Sequence, residues 1–302
     1  MSLGCPCALA AFPPPPPAAT PNDEDEVDEV DRSKAVALAT LKRLGGEVTV
    51  NAGKEAVGLQ LHGYRFTNLT MDHVGKLEGL QSLSLHGTHV NRTGLSRIEH
   101  LTEMRFLELG GIDCGDDGLE YLAGMQKLQN LGLDRTGITD GGLVHLKGHT
   151  DLVSLSLGGN NITDAGFKQL EVLVKLERLW VGRTGLGDGG AKSISTLRNL
   201  RWLGISRTAV TDSGVKDISG LPDLESLYLF GCKNVRDESL RHVARMPELR
   251  KLFLFYCPGV TDEGLRALGK TGVTQLWVRG TSVTPEGIER LREENPDCKV
   301  IQ

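Results

Sequence analysis

Residues 128–157 read LQNLGLDRTGITDGGLVHLKGHTDLVSLSL, and they contain the same apolar pattern twice. Leucines stand at 128, 131 and 133 in the first copy and at 152, 155 and 157 in the second, 24 residues later. Side chains of a β-strand point alternately to opposite faces, so each copy predicts a short strand with one buried side. The fixed separation predicts a structural unit that repeats along the chain.

The pattern continues in both directions and occurs ten times. Every step is 24 residues except one step of 25. The ten triplets are Ala56-Leu59-Leu61, Leu80-Leu83-Leu85, Met104-Leu107-Leu109, Leu128-Leu131-Leu133, Leu152-Leu155-Leu157, Leu176-Leu179-Val181, Leu200-Leu203-Ile205, Leu224-Leu227-Leu229, Leu249-Leu252-Leu254 and Val273-Leu276-Val278. One copy cannot bury its leucines alone, so neighbouring copies must stack to form a core.

The residues after each strand also recur, as in TGITDGGLVHL (136–146) and TAVTDSGVKDI (208–218). We expect the Asp of this segment to cap the helix that follows, by accepting hydrogen bonds from its first free amides, and the nearby glycine to allow close packing of that helix. The aspartates are Asp116, Asp140, Asp164, Asp188, Asp212, Asp237 and Asp262. A calcium or catalytic role is the alternative, although no histidine or second carboxylate column accompanies them.

These patterns resemble those of leucine-rich-repeat proteins over residues 54–302. The half-repeats quoted above are similar to the cysteine-containing subfamily, best known from the substrate-binding halves of F-box ubiquitin-ligase subunits, and to its bacterial 24-residue relatives. Most copies have Thr where that subfamily has Cys, and no F-box-like segment lies upstream. The resemblance implies an α/β fold: a right-handed solenoid, or horseshoe, of about ten repeats, with a parallel sheet on the concave face and short helices on the convex face.

Three segments are predicted. Residues 1–31 form a disordered segment, proline-rich and then acidic, whose start could be the remnant of an export signal. Residues 32–53 form an N-terminal cap, consisting of a helix closed by Gly45-Gly46 and a short strand. Residues 54–302 form the repeat domain, in which Val300 begins an eleventh strand.

The charge distribution argues against a nucleic-acid partner. The net charge is −5, but the run DEDEVDEVD at 23–31 has seven acidic residues and no basic one, and the rest of the chain is nearly neutral with no basic stripe. No apolar run approaches the length of a membrane span. We expect a monomer. The compartment is left open: the chain as given favours the cytoplasm, and export or lipid anchoring would require a signal upstream of Cys5.

No cofactor, metal or catalytic site is predicted. The six cysteines form no zinc-type spacing. Cys232 and Cys257 stand at the repeat position that is Thr in most other copies, which predicts reduced, buried scaffold residues; a disulfide between them is the alternative. His62 and His86 lie one repeat apart, but no third metal ligand accompanies them.

Residues that flank the core leucines are predicted to project from the open face of the sheet. This face is lopsided, because all three tryptophans and most other large aromatic residues there lie in its C-terminal half. The predicted partner-binding residues are Arg178, Trp180, Trp202, Tyr228, Phe230, Lys251, Phe253, Phe255, Trp277 and Arg279, with Arg183 and Arg207 nearby at the strand ends. Aromatic residues with arginine are typical of protein-binding hot spots. Plain covering of the sheet, or a carbohydrate stacking on tryptophan, are the alternatives.

The sequence therefore predicts a non-enzymatic scaffold that binds a protein or peptide on the C-terminal half of the concave face. The alternative that the resemblance implies is a substrate-recognition subunit of a ubiquitin-ligase-like assembly. An enzyme built on the Asp and His columns is a third hypothesis.

Overall fold

The computed structural model describes residues 23–302, with side chains from residue 29 onward. Twelve strands form one sheet in which the spatial order equals the chain order. The strands are β1 (Glu47–Val50), β2 (Ala56–Gln60), β3 (Ser82–Ser84), β4 (Phe106–Glu108), β5 (Asn130–Gly132), β6 (Ser154–Ser156), β7 (Arg178–Trp180), β8 (Trp202–Gly204), β9 (Ser226–Tyr228), β10 (Lys251–Phe253), β11 (Gln275–Trp277) and β12 (Lys299–Ile301). β1 pairs with β2 antiparallel, and every later pair is parallel.

The strand register follows the sequence period. Leu203 of β8 pairs with Leu179 on one side and Leu227 on the other, so one repeat advances the chain by one strand. The single step of 25 residues does not disturb this register, because Leu252 still pairs with Leu227. The repeated leucines are almost fully buried in one continuous core. The predicted α/β solenoid is confirmed.

Short helices lie on the side of the core opposite the open sheet face. The α-helices are α1 (Asp23–Arg43), α2 (Met71–Val74), α3 (Arg92–Leu95), α4 (Gly115–Glu120), α5 (Asp164–Phe167), α6 (Asp188–Ile194), α7 (Asp212–Ile218), α8 (Asp237–Val243), α9 (Asp262–Arg266) and α10 (Pro285–Glu294). Three 3₁₀ helices span Asn68–Thr70, Gly142–Gly148 and Lys168–Val172.

Elements outside the ten repeats are added at both ends of the stack. At the N-terminus α1 contributes Leu41 to the core, and β1 adds an antiparallel strand beside the first repeat. At the C-terminus Val300 of β12 pairs with Leu276, as predicted. α1 begins at Asp23, upstream of the cap boundary predicted at residue 32, so the acidic run belongs to the helix rather than to a separate segment. Acidic residues near a helix N-terminus interact favourably with its dipole, and no glycine or proline interrupts the run.

The proline run and the residues around Cys5 lie outside the described residues. Among residues 23–302, no helix is both long enough and apolar enough to cross a membrane.

The repeated aspartates join neighbouring repeats. Asp188 is the first residue of α6, and its carboxylate accepts hydrogen bonds from the Thr211 backbone N–H (2.8 Å) and the Thr211 hydroxyl (2.7 Å) of the next repeat. Thr211 itself is the N-cap of α7, where its side chain accepts from the Ser213 N–H. The prediction that each Asp caps its own helix is therefore wrong. In the five helices from α5 to α9 the residue before the Asp holds the N-cap position. The Asp carboxylate accepts a hydrogen bond from the backbone N–H of the corresponding residue in the next repeat.

The same arrangement recurs along the stack. It pairs Asp116 with Thr139, Asp140 with Thr163, Asp237 with Thr261 and Asp262 with Thr284. The two hydrogen bonds from Thr284, that of the backbone N–H first, lower the pKa of the Asp262 carboxyl. A carboxylate with a lowered pKa stabilises the fold above the ordinary Asp pKa, and the contribution is lost as the pH falls through the lowered value.

The glycine two residues after each Asp leaves room for the Asp of the preceding repeat. A Cβ at Gly214 would lie 2.5 Å from Oδ1 of Asp188, and the Gly214 N–H donates to the same oxygen. One repeat has Ser239 in this place, and its hydroxyl donates to Asp212 at 2.5 Å. The expected close packing at these glycines is confirmed. A side chain there would collide with the Asp carboxylate of the preceding repeat.

One joint lacks this contact. Between the second and third repeats, Arg92 occupies the Asp position and Gly115 occupies the Thr position. The guanidinium of Arg92 instead pairs with Asp117 at 2.5 Å, and both side chains are more than half exposed.

Replacing Gly214 by Ala tests the inter-repeat contact. We expect a loss of about 1–3 kcal/mol in the free energy of unfolding, measured with urea, because the new methyl group crowds Asp188. This loss should appear although alanine favours a helix by roughly 0.5–1 kcal/mol over glycine. Adding Asp188→Ala should recover part of it, as a double-mutant coupling.

Gly79→Ala is the matched control, because a Cβ there meets no heavy atom within 4 Å. It should leave the free energy of unfolding nearly unchanged. A Gly214→Ala protein as stable as the native chain would contradict the proposed role of Asp188.

The buried cysteines are scaffold residues, as predicted. The Cys232 and Cys257 thiols donate to the carbonyls of Ile205 (3.2 Å) and Leu229 (3.1 Å), each in the preceding repeat. Both are fully buried and free, as are Cys114 and Cys298, so the alternative disulfide is absent. Burial raises the pKa of the Cys257 thiol to about 12, and the neighbouring Cys232 adds to the rise.

These thiols should not react with a thiol reagent while the protein is folded. Only the thiolate is nucleophilic, and burial both blocks access and raises the pKa. With Cys5 and Cys7 replaced by Ser, we expect negligible labelling at mildly alkaline pH and labelling of all four buried thiols in urea. Rapid labelling of Cys232 or Cys257 in the native protein would show that these thiols are accessible to solvent and would contradict the prediction.

Candidate functional site

Four rings form an aromatic ladder across the C-terminal strands: Trp180, Tyr228, Phe253 and Trp277. Tyr228 stacks on Phe253 with ring centroids 4.0 Å apart, and Phe253 stacks on Trp277 at 3.8 Å. Both pairs have an interplanar angle of 11°. All four rings are half-buried. Stacking covers both faces of Phe253, so its edge rather than its face is presented to a partner, whereas Trp180 meets Tyr228 at a tilt of 51°.

The ladder crosses β8, which has a glycine at the position of the ring residues in the neighbouring strands. Trp180 on β7 and Tyr228 on β9 are separated by β8, where the corresponding residue is Gly204. A Cβ on Gly204 would overlap the Trp180 ring. Trp180 therefore lies across this glycine and reaches Tyr228, with ring centroids 4.6 Å apart. Sequence analysis missed this role; the available signal was a glycine in a column of large side chains, one repeat after a tryptophan.

Gly204→Ala should displace Trp180 from Tyr228. In a protein with Trp202 and Trp277 replaced by Phe, the indole of Trp180 is the only one left, and its environment can be measured alone. We expect a red-shifted emission and stronger quenching by acrylamide in the alanine variant, because the ring loses a contact and gains solvent. Identical spectra and quenching would show that Trp180 does not depend on the glycine.

Three further contacts flank the ladder. Phe230 meets Phe255 edge-on with centroids 6.3 Å apart, and Cζ of Arg207 lies 4.8 Å from the Phe230 ring centroid. On the other side, Cζ of Arg178 lies 5.6 Å from the ring centroid of Trp202, which is 37% exposed.

The structure thus places the predicted residues on one face. Of the ten, Arg178, Trp202 and Arg279 are exposed, and the other seven are half-buried. Their role in binding a partner stays a prediction.

The N-terminal half of the same face is different in character. The Glu108 carboxylate lies over Gly132 and accepts a hydrogen bond from the Gly110 N–H at 2.7 Å. His62 and His86 are exposed, and among the described residues no group of three or more His, Cys, Asp or Glu side chains is arranged to hold a metal ion. Apart from the exposed Phe106 and these two histidines, this half offers polar and small groups rather than large rings.

A groove of about 810 Å³ lies beside the ladder, where the strands end. Its lining residues are Asp134, Arg135, Ser156, Gly158, Gly159, Trp180, Gly182, Arg183, Ser206, Arg207 and Phe230. A second groove of about 850 Å³ continues from it, and the two share Arg207 and Phe230. Of these residues, only Trp180 and Phe230 belong to the predicted site. Arg183 and Arg207 were expected nearby at the strand ends. The remaining lining residues were missed because small residues and turn residues carry no obvious binding chemistry in a sequence.

Stacked parallel strands with buried leucines and an open sheet face define a repeat protein of the solenoid class. The family model for the leucine-rich repeat region matches residues 58–273, and the chain belongs to the leucine-rich-repeat family. No curated protein matches the chain. The fold of this family supports a protein–protein interaction scaffold in general.

Several solved structures are similar to this chain. Internalin C2 of Listeria monocytogenes is 24% identical, with a TM-score of 0.53 over 73% of this chain and 91% of its own. An internalin F of the same organism is 17% identical, with a TM-score of 0.49 over 90% and 94%. A leucine-rich-repeat protein of Leptospira interrogans is 19% identical, with a TM-score of 0.49 over 76% and 68%. At these identities the likeness to internalin C2 concerns the fold alone.

Proposed function

We propose that this chain is a non-enzymatic scaffold that binds a protein or peptide on the C-terminal half of its open sheet face. The observation that carries the proposal is the aromatic ladder, which occupies that half only and borders the groove at the strand ends. The ubiquitin-ligase alternative stays a prediction, because the described residues offer nothing that favours it.

The stacking of the rings supports binding. A ring held between neighbours has already lost most of its freedom, so little further conformational entropy is lost when a partner binds. The ring edges and the neighbouring groove offer apolar surface at the same place, while Arg178 and Arg279 stand exposed among the rings. Aromatic residues surrounded by arginine are the composition of hot spots in protein interfaces.

Plain covering of the sheet explains part of the arrangement but not Trp202. This side chain is 37% exposed, it lies beside the cation of Arg178, and its indole N–H donates a hydrogen bond to the Glu225 carboxylate. Trp202 is not part of the leucine core. An exposed tryptophan beside a cation is a group that a partner can bury.

Alanine at Trp180, Trp202, Phe253 and Trp277 tests the proposal. Peptides are first selected on the native chain from a displayed random library, and their dissociation constants are then measured by calorimetry. We expect the four-alanine variant to bind them more than about 100-fold more weakly, because hot-spot side chains contribute most of the binding energy. Urea unfolding should show that the variant is folded, since none of the four side chains belongs to the leucine core.

Phe106→Ala is the matched control. Phe106 is 40% exposed and has the same position in β4 that Trp202 has in β8, but it lies in the N-terminal half. The control should retain full affinity. If the four-alanine variant binds the selected peptides as tightly as the native chain does, the proposed surface is wrong.

A further inference from the structure

One position in every repeat has a left-handed backbone. It lies just after the strand, where φ is positive in all ten repeats. The residues there are Gly63, Gly87, Gly111, Arg135, Gly159, Arg183, Arg207, Gly231, Tyr256 and Gly280. Glycine is the residue that adopts this conformation without a steric penalty, and six repeats have it.

Three repeats have arginine at this position. The φ angles of Arg135, Arg183 and Arg207 are 53°, 58° and 56°. A side chain in this region brings Cβ too close to the backbone, so each arginine destabilises the fold relative to glycine. Strained residues of this kind cluster at functional sites.

The three side chains line the same groove. A Cβ on Gly159 would lie 2.7 Å from Cγ of Arg135, and one on Gly231 would lie 3.0 Å from Cγ of Arg207. Each of these two arginines therefore extends across the glycine of the next repeat. All three line the groove next to Trp180 and Phe230.

The three positive charges of this groove outnumber its one negative charge, that of Asp134, and none of the three guanidinium groups forms an ion pair within the described part of the chain. Across residues 29–302, no carboxylate lies within 4.0 Å of the guanidinium groups of Arg135, Arg183 or Arg207. The one carboxylate in the groove, that of Asp134, already accepts hydrogen bonds from the Ser156 hydroxyl (2.5 Å) and the Gly158 N–H (2.6 Å). Arginines elsewhere on the surface do pair, as Arg241 does with Glu238 at 2.6 Å.

We propose that this groove binds the acidic side chains of an extended peptide. Arg135, Arg183 and Arg207 pair with its carboxylates, while Trp180 and Phe230 contact its apolar side chains. The planar guanidinium group suits a carboxylate because it donates two parallel hydrogen bonds. This inference rests on the proposed function and names the chemistry of the partner.

Arginine-to-glycine variants test it without endangering the fold. Since glycine is the residue of six other repeats, the triple variant Arg135→Gly, Arg183→Gly, Arg207→Gly removes charge and strain together. Its stability in urea should equal or exceed that of the native protein. Lys54→Gly is the matched control, because Lys54 has a φ of 65° and lies in the β1–β2 turn, outside the groove.

A displayed library of random peptides is selected in parallel on the native chain, the triple variant and the control. Peptides selected on the native chain and on Lys54→Gly should be enriched in Asp and Glu, and those selected on the triple variant should not. For one selected acidic peptide, the triple variant should bind roughly thirtyfold more weakly. Replacing Glu by Gln in that peptide should cause a similar loss, and added salt should weaken native binding.

Three other outcomes would overturn the proposal. If the native chain selects peptides without acidic enrichment, and these still require the aromatic ladder, the acidic-peptide proposal fails while the proposed function stands. If no peptide is selected, both fail. Preferential binding of a single-stranded oligonucleotide over the acidic peptide would also overturn the proposal, because arginine with aromatic rings can bind nucleic acid too.

Discussion

The whole structure depends on the stacking of each repeat against the next. A repeat has one short strand and one short helix or turn, and its leucines are buried only because the neighbouring repeats cover them. The Asp carboxylate strengthens the same interface, since it holds the N-cap threonine of the following helix. At the joints that have this contact, the hydrogen bonds that fix the start of a helix also join two neighbouring repeats.

Most of this fold could be predicted from the sequence, because a leucine repeated at a constant interval has one physical explanation. The strand register and the closing strand at Val300 followed directly. The role of the aspartates did not. Whether a residue is the N-cap or the first helical residue is a difference of one position, and periodicity alone does not fix it. The start of α1 was missed for a related reason, because acidic residues suit both a linker and the first turns of a helix.

The candidate surface was predicted in part. The aromatic columns were visible because alternation in a strand assigns each residue to a face. The groove was not visible, because its features depend on conformation: a positive φ at Arg183, and glycines over which larger side chains extend. Gly204 is the clearest case. Its contribution to the surface is the absence of a side chain, which lets a ring from the preceding repeat pass over it.

The joint between the second and third repeats has a consequence for how the protein opens. Arg92 and Gly115 stand there in place of the Asp and Thr, and an exposed ion pair replaces two partly buried hydrogen bonds. An exposed ion pair contributes little to stability. In a linear array a weaker interface can divide the cooperative unit, so we expect the cap and first two repeats to form one foldon and the repeats carrying the aromatic ladder to form another. Amide hydrogens of the first foldon should then exchange by sub-global opening while the ladder stays assembled.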